Sequence, residues 1–472
     1  MNTGCPAAIA PASGQTPRGG RHPRPALGSR MYRAAVGLLA TLSVLLAGPA
    51  LAVPAAEPPP EAVESQPLLL DAELGLAEVL AMALVRDPGR VVGDARAAEA
   101  RQLGSRAGSW LAGDAVIGLR WQDSAPVDRR GIRESEGGLD LPIWRLGQRD
   151  AAAAVAEGGR QQSEAEAQMR RLRVAGDVRE TAWAVALARV RVAEAEQALA
   201  AARALEAVVD KRIAVGDQAP ADALSARDYR LERESHLQDA QIVRVHAELS
   251  YRLLTGLDRL PAALTEAVAG ARANDAPNPH LAMSEAQVQR ARAEADLARR
   301  SRGGNPRLTV GARNEIGGDG RDIVSLGVGV SIPLGLSASA RGPEAQAAVQ
   351  AAQAESELAL ARRRYVYQQH EAEHEYEAAG RSRTRSRERA ELARRELANA
   401  AKAFGVGEIG LAERLLIEIR ARGALAEAAT AELQHGLAIA RFNQIQGQLP
   451  AAATGAESPA SPVADTNSGA TP

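Results

Sequence analysis

The sequence predicts a mainly α-helical protein with a small β part, built from one structural unit used twice. Three observations carry that reading. The stretches 147–214 and 344–404 contain no proline, room for helices of great length. Two pairs of short segments alternate apolar with polar or small residues, the period-two signature of strands. Five landmarks recur at one unchanging offset of 191 residues: Asp87-Pro88 with Asn278-Pro279, Pro142 with Pro333, Lys211 with Lys402, Gly216 with Gly407, and Gly256 with Gly447. The two lysines are the only ones in the chain. A period that long is one domain-sized unit duplicated, not a solenoid.

Composition agrees. Only 3% of the 472 residues are aromatic, which argues against large conventional cores. Ala, Glu, Arg and Leu dominate instead, the mixture of long helices packed through small side chains. A formal net charge of −1 offers no basic surface, so nucleic acid is excluded as a partner.

Residues 1–52 carry five arginines and no acid, and the basic head runs into apolar Ala34–Ala47 and then Ala50-Leu51-Ala52. That order predicts a cleavable signal peptide starting at Met31 and cut after Ala52, with 1–30 an over-long start. Cys5, the single cysteine, lies upstream of the cut. The exported chain would then hold no disulfide, thiolate metal site or cysteine nucleophile. Pro49 stands where a lipidated cysteine would follow Leu45-Leu46-Ala47-Gly48. Residues 53–73 read as a Pro-rich linker, 74–256 as the first repeat, 257–278 as the connection, 279–449 as the second repeat and 450–472 as a disordered tail.

Each repeat opens with a helix, Leu74–Gly108 and then His280–Arg302. Two β segments follow. Ala115, Ile117, Leu119 and Trp121 share one face, as do Leu139, Leu141 and Ile143; in repeat two, Leu308, Val310 and Ala312 match Val324, Leu326, Val328, Val330 and Ile332. The alternation suits a tilted membrane strand and also a hairpin on a soluble domain. The long helix 147–214 amounts to about 100 Å at the α-helical rise. Val185, Val192 and Leu199 recur along it with Ala188, Ala195, Ala202 and Val209, a heptad seam for close helix approach. Gly158-Gly159 reads as a bend. Return helices span Pro220–Thr255 and Leu411–Gln446, entered through turns at Gly216-Asp217 and Gly407-Glu408. No segment outside the leader reaches the length of a membrane helix, so entry into a membrane would use strands. Four strands cannot close a barrel, so the barrel would be shared between copies.

The chain resembles the TolC-type outer-membrane efflux channels, through Leu76–Leu84 with Asp87-Pro88, Leu139–Gly147, Asn305–Leu308, Val328–Leu334 and the turns Arg212–Asp217 and Phe404–Ile409. The wording of the hairpins is most like the heavy-metal-cation branch. The resemblance implies a homotrimer with a twelve-stranded barrel in outer-membrane lipid and a periplasmic α-barrel. It also implies docking through the tips onto a periplasmic adaptor and an inner-membrane pump. Trp144-Arg145-Leu146-Gly147 departs from the family's aromatic-Gly-Gly.

A passive exit duct needs no catalytic residue and no cofactor, so function is expected at the tips: Gly216, Asp217, Gly407 and Glu408. Asp217, Asp222, Glu408 and Glu413 form acid pairs one repeat apart. They suit cation-favouring rings in a trimer, and equally they stabilise helix N-termini through the dipole. Pro142 and Pro333 mark strand ends. His370-Glu371-Ala372-Glu373-His374 fits the zinc-protease pattern H-E-x-x-H, but its charged surroundings suit a solvated coiled-coil face. A periplasmic coiled-coil adaptor is the competing non-enzymatic reading.

Overall fold

The computed structural model describes residues 67–123, 131–270, 278–317, 319, 321–335 and 341–451. The leader and signal peptide, the 53–66 part of the first linker and the tail from 452 lie outside them. In chain order the elements are β1 (Leu69–Asp71), α1 (Leu76–Arg86), α2 (Gly89–Gly108), β2 (Val116–Asp123), β3 (Arg133–Pro142), α3 (Gln148–Ala214), α4 (Pro220–Thr255), β4 (Arg259–Pro261), α5 (Pro279–Arg300), β5 (Arg307–Ile316), β6 (Asp322–Ser331), α6 (Gly342–Val406) and α7 (Leu411–Ile445).

The duplication holds down to individual hydrogen bonds. Asp87 Oδ1 accepts from the Gly89 backbone N–H at 3.2 Å, and Asn278 Oδ1 accepts from that of His280 at 3.0 Å. Both caps lie 191 residues apart, and each satisfies an otherwise orphaned donor at a helix start. The hairpins share one register as well. Ile117 faces Leu139, and the residues 191 further on, Leu308 and Val330, face each other.

The structure corrects the opening element of repeat one. The single helix read over Leu74–Gly108 is two, broken at Asp87-Pro88. A proline forces its predecessor out of the helical region, and Asp87 sits at φ −65°, ψ 116°. Its counterpart Asn278 takes φ −70°, ψ 124°, and α5 begins there. In repeat one a described helix, α1, precedes the proline.

α3 and α6 run 67 and 65 residues without interruption. Of the seam read from the sequence in α3, all but Ala195 are buried. The helix is continuous through Gly158-Gly159. The absence of a side chain at Gly158 admits α5, because a Cβ there would lie 3.0 Å from the Arg290 Cα.

The main core gathers α1 (Leu76, Val79, Leu80, Ala83), α3 (Val174, Ala175, Val178, Ala182, Trp183, Val185), Tyr251 of α4, Leu260, Leu264 and Ala440 of α7. β1 and β4 pair in parallel beside it, Leu69 opposite Arg259. Both strands lie in stretches the sequence assigns to connections. Arg179, only 2% exposed, is held by a bidentate pair with Glu266 at 2.6 and 2.8 Å and by Gln444. A buried guanidinium persists only when its donors are matched in this way.

Gly436 lets α7 lie against Trp183, since a methyl at that position would overlap the indole six-membered ring. Gly436→Ala should therefore lower unfolding stability by about 1–3 kcal/mol. Gly423→Ala, on the same helix with open space around it, should instead raise it by about 0.5–1 kcal/mol. Denaturant titration followed by circular dichroism separates the two, and equal effects would remove the packing argument.

Beside that glycine, His435 contacts Arg383 at 3.2 Å through Nδ1. Burial, and then the guanidiniums of Arg383 and Arg387 against the opposing carboxylate of Glu432, hold its imidazole below the usual histidine range. The unfolded chain therefore takes up that proton first. The contribution is present above pH about 6.5 and lost as pH falls. His435→Gln should flatten part of the loss of unfolding midpoint between pH 7 and 5, and an unchanged profile would reject the assignment.

Candidate functional site

The two hairpins join in one antiparallel sheet of order β2-β3-β5-β6. Its rows read cleanly. Ile117, Leu139, Val310 and Val328 stand side by side on one face, with Leu119, Gly137, Ala312 and Leu326 in the next row. This face is bare: Leu119 and Leu326 are each 86% exposed. A contiguous exposed apolar face of this kind needs lipid or another apolar surface against it.

The opposite face has different chemistry. Gly118, Gly138, Gly311 and Gly327 form one row, four glycines abreast. The next row is Arg120, Glu136, Arg313 and Ser325. Arg313 pairs with Glu134 at 2.9 Å and Glu315 at 3.0 Å, and Arg307 with Asp140 at 2.7 Å. One face for apolar surroundings and one for water is the division a spanning barrel requires.

Where the sheet meets the helices, the sequence reading singled out Pro142 and Pro333. Pro142 closes β3, and its carbonyl accepts from the Ala112 backbone N–H at 3.0 Å. Pro333 follows β6, and its carbonyl accepts from the Arg145 guanidinium, which also donates to the Arg302 carbonyl. Gln148 adds bonds to Ser301 at 2.9 Å and Asn305 at 2.7 Å. Arg145 therefore ties repeat one to repeat two at the root of the sheet. The sequence marked it only as a departure from the family pattern.

At the other end of the helical hairpins, Gly216 (φ 78°) and Gly407 (φ 84°) make the reversals, in the left-handed region that excludes most side chains. The two turns carry matching hydrogen bonds: Asp217 N to Arg212 O, and Glu408 N to Ala403 O, both 2.9 Å. The tips touch through a small core of Val209, Ala226, Phe404 and Leu411. Arg212 caps it. Its guanidinium lies 4.6 Å from the Phe404 ring centroid and donates to the carbonyls of Phe404 at 2.7 Å and Gly405 at 2.6 Å.

The four acids separate into two kinds. Asp217 is exposed and stands 3.9 Å from Arg212, and Glu408 is exposed in the equivalent turn. Asp222 and Glu413 occupy the first turns of α4 and α7, where the helix dipole favours a carboxylate. His370 and His374 are exposed on α6 with ring centroids 6.4 Å apart. Among the described residues no group of three His, Cys, Asp or Glu is placed to hold a metal ion.

Arg212→Ala removes a cation–π contact and two carbonyl bonds. It should release about 1–3 kcal/mol of local stability at the tips. Hydrogen exchange of the amides over 404–408 should accelerate in that variant. In Arg203→Ala, which loses only an exposed pair with Glu234 at 3.8 Å, exchange should stay as it is.

No protein-family profile and no curated protein matches the sequence. Solved structures do match. The outer-membrane protein VceC of Vibrio cholerae aligns over 79% of this chain and 96% of its own, at 15% identity and a TM-score of 0.65. The CmeC outer-membrane channel of Campylobacter jejuni aligns over 80% and 86%, at 14% identity and 0.63. The MtrE outer-membrane channel of Neisseria gonorrhoeae, in its open state, aligns over 80% and 90%, at 14% identity and 0.62. The chain has the fold of the TolC-type outer-membrane channels, with four strands of sheet that one copy leaves open.

Proposed function

We propose that the protein is the outer-membrane exit duct of a tripartite efflux system. Three copies share a twelve-stranded barrel in outer-membrane lipid, and their helical hairpins continue it as a periplasmic α-barrel. The tips around Gly216-Asp217 and Gly407-Glu408 dock onto a periplasmic adaptor, and an inner-membrane pump supplies the energy. The observation that carries this reading is the sheet. One face is apolar and exposed, the other is charged, and β2 and β6 are both terminal strands. The channel descriptions of CmeC and MtrE support it.

The substrates assigned are heavy-metal cations, from the resemblance of the hairpin sequences. In the ring reading, Asp217, Asp222, Glu408 and Glu413 of three copies would surround the entrance with carboxylates and favour cations. Passive conduction needs no catalytic group, so the exposed His370 and His374 take no part.

The test is fractionation followed by conductance. The protein should stay with outer membrane through high-salt extraction, and the purified oligomer should give discrete steps in a planar bilayer. A freely dissolved monomer without conductance would end the proposal. Replacing the four acids by Asn and Gln should lower the cation preference of those steps; an unchanged preference would leave the acids only their helix-stabilising role.

A further inference from the structure

At the root of the sheet, α2, α3 and α5 frame a cavity of about 270 Å³. Leu103, Ala107, Trp144, Ala152, Val155 and Leu297 make most of its wall. An open groove of about 690 Å³ adjoins it along α2, and Leu103 and Arg106 line both. We infer that cavity and groove together bind a phospholipid with a phosphoethanolamine-type headgroup. The groove takes the headgroup, and one acyl chain enters the cavity. The site rests on the outer-membrane reading above.

The cavity suits an apolar guest because its polar wall is satisfied from within. Gln148 is only 4% exposed. Its side-chain amide donates to Ser301 at 2.9 Å and Asn305 at 2.7 Å, and its carbonyl accepts from the Arg145 backbone N–H at 3.0 Å. Trp144 donates its indole N–H to the Ser109 carbonyl at 3.0 Å. A buried water needs two to four polar partners, and these groups are already taken. The volume lies just below the about 300–1,000 Å³ of sites that hold whole drug-sized ligands, so a single chain is the fitting occupant.

The groove opens where a headgroup would lie. Leu111 and Gly113 line it, and Leu111 bridges to Ile143, which continues the apolar side of β3. Eight residues separate Ile143 from Ser135, the partner of Trp121. That is about 27 Å of strand, or about 20 Å of height at barrel tilts. The apolar band of a spanning barrel is about 25 Å tall, so the groove sits at its lower edge. A chain from that level reaches the cavity past Leu103.

Charge selects the headgroup. Arg106 is exposed, and among the described residues its guanidinium has no hydrogen bond or ion pair. The nearby Arg149 is occupied, donating to the carbonyls of Ala107 at 3.1 Å and Gly108 at 2.7 Å. Two acids also line the groove. Glu99 is held by Arg290 at 3.1 Å, whereas Asp114 is exposed and pairs with no base among the described residues. One open guanidinium and one open carboxylate match a phosphate joined to a primary ammonium. A choline head offers the carboxylate no N–H, and a glycerol head brings no positive charge.

Brominated acyl chains quench indoles on contact, which makes Trp144 the reporter. The purified oligomer is placed in phosphatidylcholine vesicles containing phosphatidylethanolamine with a brominated chain. The Trp144 share of the emission, taken by difference from Trp144→Phe, should be quenched. Half-saturation should need roughly tenfold less of this lipid than of brominated phosphatidylcholine or phosphatidylglycerol. Asp114→Asn should erase the preference over phosphatidylglycerol, and Arg106→Gln should weaken binding of both. Ala152→Phe, which fills the cavity, should abolish the quenching; if that variant does not fold, the headgroup series still decides. Equal half-saturation for the three lipids overturns the site, as does Trp144 quenching that survives Ala152→Phe. So does an unquenched Trp144 beside a quenched Trp121, read by difference from Trp121→Phe. Absence of quenching at Trp121 as well overturns the membrane reading itself, a separate outcome.

Discussion

A β-sheet in a membrane has no tolerance for an edge. Each peptide group at the margin of β2 and β6 carries a donor or an acceptor that hydrocarbon cannot satisfy, at several kcal/mol apiece. In water such an edge is an aggregation hazard, and in lipid it is prohibitive. The sheet has four strands with its apolar face bare, so in the lipid setting proposed above it would depend on a partner at each side. Identical copies meet that demand without a new surface, because an even number of alternating strands keeps every junction antiparallel. The helical hairpins follow from the same constraint: whatever brings the sheets side by side also sets the long helices side by side.

The two repeats share a backbone plan but not a burial pattern. α3 is covered by α1, by the 257–269 segment and by α7, and its middle is apolar around Trp183. The positions 191 residues later, on α6, are occupied by His374 and, for Arg179, by His370. The H-E-x-x-H pattern thus occupies the site where repeat one buries a tryptophan and an arginine. Both histidines are solvent-exposed in the single chain. A solvent-exposed coiled-coil helix face accounts for the spacing without any chemistry, because i and i+4 are simply neighbours on one face.

Much of this was legible from the residues, for reasons of period and chain geometry. Strand alternation and proline-free length are local signals, and they located the four sheet strands and the long helices α3 and α6. Tight reversals need positive φ, so Gly216 and Gly407 were visible as tips. The break at Asp87-Pro88 was missed, although the proline was seen, because its repeat mate was read as a helix start and the helix before it was run through. β1 and β4 were out of reach: three residues carry no measurable alternation, and their pairing spans 190 residues, with the Asp71–Arg259 ion pair beside it spanning 188. Arg145 and Arg212 were missed for a related reason. Both act by donating to carbonyls of the other repeat, and a carbonyl carries no signature in sequence.

Stability is graded along the molecule, and this bears on how the proposed duct would open. The main core joins five elements and buries Trp183, Tyr251 and six Leu and Val side chains on α1 and α3. The tip core has four buried residues and one arginine clamp. Opening free energy follows the apolar contacts that must be broken, so the tips sit at the low end of the scale and the middle at the high end. The polar clamp sharpens this contrast. Arg212 binds carbonyl oxygens that lie at helix ends, where water can replace it, whereas Arg179 in the main core is matched by a carboxylate that water reaches poorly. A partner that offers carbonyls or carboxylates to Arg212 would therefore separate the tips at modest cost, and the same exchange at Arg179 would dismantle the fold. The end of the molecule furthest from the sheet is in this way the part built to yield.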